Sequence, residues 1–445
     1  MKARTISYGR ILRLAFPVIV SQLGQITVSL VDNIMIGRLG TLELAAASFV
    51  NNIFNLAIFF GMVITFIITP LVGESIGKKD NQTSSIFKNA LMVATITAVV
   101  IAVLLLILCL FFHQMGQDPA IIQMAKSYFL LLITSYLPLM LFNAFKQFAE
   151  GTGDTKTGMY IIIAGNLVNI VGNYLFIYGK MGVSPMGLDG AAIGTILSRI
   201  FMLLAFFYLF VFRKRYGTWL TNFTASSIQW ELATKITRKG VMLGLQMLIE
   251  AGAFGLAGIM IGWMGAPGLA AHQIAISLSS LGFMVYQGLG SATTILVSQS
   301  FGAGSKKRML IQAKQSAILV IPLSLITALF FFIFRDALPL IFSNDTEVIR
   351  ITSTLLIILA LFQLPDALQI IYGSAVRAMT DVKLPVIFLF ISYFIVSLPV
   401  GYLFAFTFKY QQLGIWLAFP IGVSLAYLFL KFRFKFLLKR STNNN

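Results

Sequence analysis

Three carboxylates stand where apolar side chains are expected: Asp32 within VSLVDNIMIG (28–37), Glu250 and Asp366. An ionised group at mid-membrane costs about 2.5 to 3.5 kcal/mol on insertion scales, so three oppose insertion by roughly 8 to 10 kcal/mol. Such groups need partners, bound cations or a wet cavity. Gln246 precedes Glu250 by one helical turn, and Gln363 and Gln369 bracket Asp366 at helical spacing, so each acid lies on a polar face. Asn166, Asn169 and Asn173 form a one-sided amide stripe, which Thr195 and the backbone of nearby Ala191 are placed to face. Carboxylate, amide and hydroxyl oxygens are hard ligands that suit Na⁺, while the carboxylates alone suit H⁺. Two rival readings stand beside this one: the amides serve only to hold helices together, or Arg199 neutralises Asp366.

The elements that carry these residues follow from composition. Of the 445 residues 58% are hydrophobic and 11% charged, and the mean hydropathy is +0.89, which defines an integral membrane protein. Runs of about 18 to 25 apolar residues, long enough to cross a hydrocarbon core as helix, fall near 14–36, 44–70, 87–111, 125–148, 158–178, 190–212, 240–263, 269–297, 313–334, 350–374, 384–406 and 412–432. The runs are continuous rather than alternating, so the expected fold is all-α with twelve transmembrane helices and not a barrel. The first run is too long and too polar for a removable signal.

The net charge of +18 sorts by side. With the N-terminus inside, the basic residues fall in cytoplasmic segments except Arg38, Lys126, Lys180, Arg335, Arg350 and Lys409 opposite, and Arg199 within a span. This positive-inside pattern places both termini in the cytoplasm. Bases facing anionic lipid account for the excess, so nucleic acid is not an expected partner. Cys109 stands alone, and His113 and His272 are far apart in sequence, which leaves no disulfide framework, thiolate metal site or histidine-based triad. GTGDTKTG (151–158) lacks the ending of a phosphate-binding loop and reads as a polar turn. The sequons at Asn81, Asn222 and Asn344 are three-residue matches without further support.

The chain also repeats itself. GRLGTLELAAASF (37–49) superposes on GWMGAPGLAAHQI (262–274), TPLVGESIG (69–77) lies on TILVSQSFG (294–302) at the same offset, and Asp154-Thr155-Lys156 matches Asp381-Val382-Lys383. Two pseudo-symmetric six-helix lobes are expected, 1–212 and 240–445, joined by a basic linker over 213–239. An even number of spans per repeat gives both lobes one orientation, the plan of a transporter with a cleft that opens alternately to either side. Pro17, Pro365 and Pro399 interrupt backbone bonding near the polar sites. Gly288, Gly290 and Ser291 allow close packing.

With VDNIMIGRLG (31–40), GLAAHQIA (268–275) and RAMTDVKLP (377–385), the chain resembles the multidrug and toxic compound extrusion (MATE) family over essentially its whole length, and within it the NorM-type branch. The resemblance implies the MATE/MOP-type fold and antiport, in which Na⁺ or H⁺ enters while a lipophilic, often cationic organic compound leaves. It implies a cation or proton site at Asp32, Asn169, Asn173, Ala191 and Thr195, a second at Glu250 and Asp366 with Gln246, and bending of the first helix at Pro17. Phe362 departs from the pattern by standing where a hydroxyl ligand to the second site is wanted. Further expectations are a monomer in the inner membrane of a prokaryote, no cofactor beyond the coupling ion, and no enzymatic activity. The alternatives are a flippase for lipid-linked oligosaccharide, which should line its cavity with bases, and a major-facilitator transporter, whose Asp-Arg-Gly-Arg run is absent from GESIGKKDNQ.

Overall fold

The computed structural model describes residues 8–440, all of whose regular structure is helical. Twelve helices are long and apolar enough to span a membrane: α1 Tyr8–Gly37, α2 Thr41–Lys78, α3 Thr83–Leu110, α4 Pro119–Gly151, α5 Thr155–Tyr178, α6 Gly187–Phe212, α7 Trp230–Gly262, α8 Ala266–Gly302, α9 Lys306–Ile333, α10 Thr346–Ala378, α11 Lys383–Thr407 and α12 Gln411–Arg440. Local chemistry sets several ends. Asp118 caps α4 with Pro119 in its first turn, and Asp345 caps α10 by accepting from the amides of Glu347 and Val348 at 2.8 and 3.2 Å. Gly179, at φ +65°, takes the left-handed turn that ends α5. Outward faces are apolar, as Val99, Val103, Leu104 and Leu110 of α3 illustrate. A bilayer leaves such a face in its preferred solvent.

Three spans deviate from regular helix. A break at Phe66–Ile67 divides α2, Ser135 divides α4 just before Pro138, and α11 widens into π-helical turns over Ile391–Ser397 and Leu403–Thr407, on either side of Pro399. A π turn inserts a residue and re-aims the side chains around it, here including Tyr393.

Contacts divide the chain into two compact units, Val20–Val241 and Met1–Ile19 with Met242–Asn445. The repeat-based boundaries differ from this division, because they assign all of α1 to the first lobe and begin the second at 240. The cause is packing: Ile11 and Ala15 lie in a core with Tyr286, Leu289 and Leu296 of α8, while Gly240 packs against the backbone of Ile64. Helix α1 therefore changes unit within one turn of Pro17, where the ring removes a backbone donor.

The segment expected as a linker, 213–239, is ordered within the first unit. A short helix, Gly217–Ala225, lies on it through Trp219 against Phe148 and Phe223 against Phe87. Lys88 donates to the carbonyl oxygens of Ser226 (2.5 Å) and Phe223 (3.3 Å), Ser84 donates to that of Trp219 (3.0 Å), and Asn89 accepts from the amide of Gln229 (2.8 Å). The two repeat-related aspartates serve as ties, each within its own unit. Asp154 accepts from the amide and hydroxyl of Thr157 (3.2 and 2.8 Å) and from Tyr216 (2.9 Å), with Arg215 and Arg213 at 3.6 and 3.7 Å. Asp381 accepts from Arg433 of α12 at 2.6 Å.

Candidate cation and proton sites

In the first unit, α5 and α6 meet on glycine. A Cβ at Gly172 would lie 3.0 Å from the Cα of Gly194, and one at Gly190 would lie 2.5 Å from the backbone of Phe176. This small-residue contact sets the asparagines of α5 against α6 and α1. Asn173 is fully buried and donates to Asp32 Oδ1 at 2.5 Å and to Asn169 Oδ1 at 3.4 Å. Asn169 donates to Thr195 Oγ1 at 3.4 Å, and Thr195 donates to the carbonyl of Ala191 at 3.0 Å. The five residues singled out in this half thus form one chain. Asn166 stands apart from it, donating to the carbonyl of Gly24 at 2.8 Å, and so takes the helix-holding role.

Asn173 Oδ1 is buried and accepts no hydrogen bond. Next to a carboxylate, an amide oxygen with unused lone pairs is a ready ligand for Na⁺, so this donor set fits a small cation. No group of three or more His, Cys, Asp or Glu side chains among the described residues could hold a transition metal. Arg199 interacts electrostatically with Asp32, donates to Ser135 Oγ at 2.6 Å and lies 5.4 Å from the ring centroid of Phe54. It is thus an internal cation of the first unit, and the Arg199–Asp366 pairing is not among the ion pairs of the described residues.

In the second unit, Gln369 Nε2 donates to Glu250 Oε1 at 2.9 Å, and the hydroxyl of Tyr393 lies 3.0 Å from Gln369 Oε1 and 3.4 Å from Glu250 Oε1. Asp366, buried on α10, feels the charge of Glu250 and makes no hydrogen bond among the described residues. Carboxylates accompanied by an amide and a hydroxyl supply oxygens for a proton or a small cation. Arg377 also interacts with Glu250. Gln246 is buried one turn from Glu250 but makes no hydrogen bond to it, and Gln363 accepts instead from Tyr286 at 2.8 Å. Phe362 packs into an apolar core beside Trp416. The hydroxyl missing from α10 arrives from α11 as Tyr393. Sequence reasoning overlooked Tyr393 and Tyr286, whose sole signal was a polar tip at a span position, and it placed Arg377 among the cytoplasmic bases rather than near Glu250. Pro17 lies inside a continuous α1.

Acids within the spans, two of them held by amides and a hydroxyl, in a bundle of twelve membrane-spanning helices define a membrane transporter. A family model described as MatE matches residues 17–175 and 243–403, one segment in each half. The chain belongs to the MatE family. It is 29% identical over 444 residues to the multidrug resistance protein MdtK of Yersinia pseudotuberculosis serotype O:1b (strain IP 31758), covering 97% of this chain and 96% of that one. It is 29% identical over 440 residues to MdtK of Yersinia enterocolitica serotype O:8 / biotype 1B, covering 97% and 95%. Among solved structures, a MATE protein in the bent conformation superposes with TM-score 0.87 at 22% identity over 97% of this chain and 96% of that one. The Vibrio cholerae MATE transporter VcmN in its bent form does so with TM-score 0.87 at 18% identity over 98% and 97%. These likenesses carry the fold.

Proposed function

We propose that the chain is a multidrug efflux antiporter of the inner membrane, exporting lipophilic organic cations in exchange for Na⁺ or H⁺ and working as a monomer with both termini in the cytoplasm. The observation that carries this reading is the chain Asp32–Asn173–Asn169–Thr195, in which Asn173, the partner of the carboxylate, keeps a buried amide oxygen unpaired. Multidrug resistance in the name of the MdtK relatives supports the choice of cargo.

An ion captured at Asp32, or at the Glu250/Asp366 cluster, cancels negative charge. The loaded site then holds a cationic drug less tightly, and neutral groups pass through a closed, dry state at lower cost than bare carboxylates. Ion release on the other side restores the negative charge for the next cycle. Each charge that crosses a potential of 100 mV gains about 2.3 kcal/mol, enough to oppose a modest drug gradient. The donor set of carboxylate, two amides and a hydroxyl favours Na⁺ at the first site.

The test is efflux of ethidium from everted vesicles under imposed Na⁺ or pH gradients, comparing wild type with Asp32→Asn, Glu250→Gln and Asp366→Asn. Loss of ion-driven efflux in the variants is expected. Wild-type rates in all three would remove the acids from coupling, and dependence on Na⁺ without dependence on ΔpH would identify the ion.

A further inference from the structure

On the face opposite the basic loops, where cationic side chains are few, two arginines line one open cavity of ≈ 410 Å³ between the end of α9 and the start of α10. They are Arg335 and Arg350. Arg350 is exposed and in no ion pair among the described residues. Arg335 meets Asp336, which also lines the cavity, through Nε alone at 3.5 Å, and its guanidinium lies 5.3 Å from the ring centroid of Phe332. The hydroxyls of Ser353 and Thr354 donate back to carbonyls of their own helix, those of Ile349 and Arg350. The guanidinium N–H groups, with the hydroxyl of Thr346, are therefore the donors the cavity offers, and the guanidinium groups suit a phosphate oxygen.

The surroundings indicate what carries that phosphate. Between α9 and α10 the connection turns outward Phe334, Leu340, Ile341 and Phe342, between 46% and 74% exposed, a composition that water disfavours and a membrane interface accepts. Ile349, Ser353 and Ile357 line the cavity at every fourth residue of α10, and Leu361 continues that face beyond it. Leu361, at the far end of that face, is 65% exposed. A polar socket at the interface with an apolar stripe running from it into the hydrocarbon matches a headgroup with an acyl chain, and not a free anion.

We propose that this cavity binds the phosphate of an anionic phospholipid of the adjoining leaflet, held between Arg335 and Arg350 with an acyl chain along Ile357 and Leu361.

The phosphate chemistry is common to lipid and inorganic anion, so the experiment separates them. Full-length protein in mild detergent is titrated with dioleoylphosphatidylglycerol, dioleoylphosphatidylcholine or inorganic phosphate, and bound lipid is counted by native mass spectrometry. Wild type should retain phosphatidylglycerol, the double variant R335Q/R350Q should bind it about 30-fold more weakly, and each single variant should fall between. Phosphatidylcholine, whose choline charge offsets its phosphate, should distinguish the proteins less than phosphatidylglycerol does, and K126Q, which removes a basic residue elsewhere, should bind as wild type does. Wild-type affinity for phosphatidylglycerol in monodisperse R335Q/R350Q would overturn the proposal. So would displacement of the lipid by millimolar inorganic phosphate, which would assign the cavity to a free anion.

Discussion

Replacement of Asp154 by Asn tests whether the ordered segment after α6 is held by charge. The carboxylate is 4% exposed and accepts three hydrogen bonds, from the amide and hydroxyl of Thr157 and from Tyr216. Burial alone would push its pKa up, but those bonds and the positive charge of Arg215 outweigh burial and hold it below the usual carboxylate range. Hydrogen bonds to a charged group contribute about 1.5 to 3 kcal/mol and neutral ones about 1 kcal/mol, so three downgraded bonds lose roughly 3 kcal/mol. Arg213 and Arg215 are nearly half exposed and add little. A local loss of roughly 3 kcal/mol corresponds to opening about 100-fold more frequent. Hydrogen exchange should accordingly find the amides of 214–225 about 100-fold faster in D154N, with those of α9 unchanged. The folded pKa lies below the unfolded value of about 3.9, so the contribution is full above that pH and disappears as pH falls through the lower folded value. Wild type should therefore keep slow exchange down to about pH 4 and approach D154N only below it. Equal exchange in the two proteins at neutral pH would refute the electrostatic tie and leave the aromatic contacts of Trp219 and Phe223, with the hydrogen bonds from Ser84 and Lys88, as what holds the segment.

Further predictions concern the two ion sites. Asn173→Ala removes both the donor to Asp32 and the unpaired amide oxygen, and should weaken ion-driven ethidium efflux from everted vesicles about tenfold or more; an undiminished initial rate would remove Asn173 from the site. Gly194→Ala places a methyl against the side-chain oxygen of Asn173 and 3.0 Å from its backbone nitrogen, so it should cost about 1 to 3 kcal/mol by overpacking. The readout is a lower thermal midpoint of the purified protein together with slower efflux, and a wild-type midpoint would contradict the close α5–α6 approach. Tyr393→Phe keeps the ring among Ala253, Leu389 and Val423 and deletes the hydroxyl near Glu250 and Gln369. About 1 kcal/mol, or roughly a fivefold drop in efflux, is expected at unchanged expression, and full activity would exclude the hydroxyl from the cluster.

The sequence by itself determined the solvent, the number of spans, the repeat and the acids, because each is a one-dimensional property: run length against bilayer thickness, and charge where the hydrocarbon tolerates none. The order Asp32–Asn173–Asn169–Thr195 was legible in outline because three of its members share one face of α5 or lie one helix away from it. What decided the rest was packing between segments distant in the chain. Glycines at 172, 190 and 194 bring α5 onto α6, π turns re-aim Tyr393 toward Glu250, and Arg199 settles beside Ser135. Likewise α1 changes unit beside Pro17 because Ile11 and Ala15 find their core on α8, which no internal repeat encodes. Periodicity fixes which face of a helix is polar, but the partner of that face depends on how close two backbones can come, and that is settled only in three dimensions.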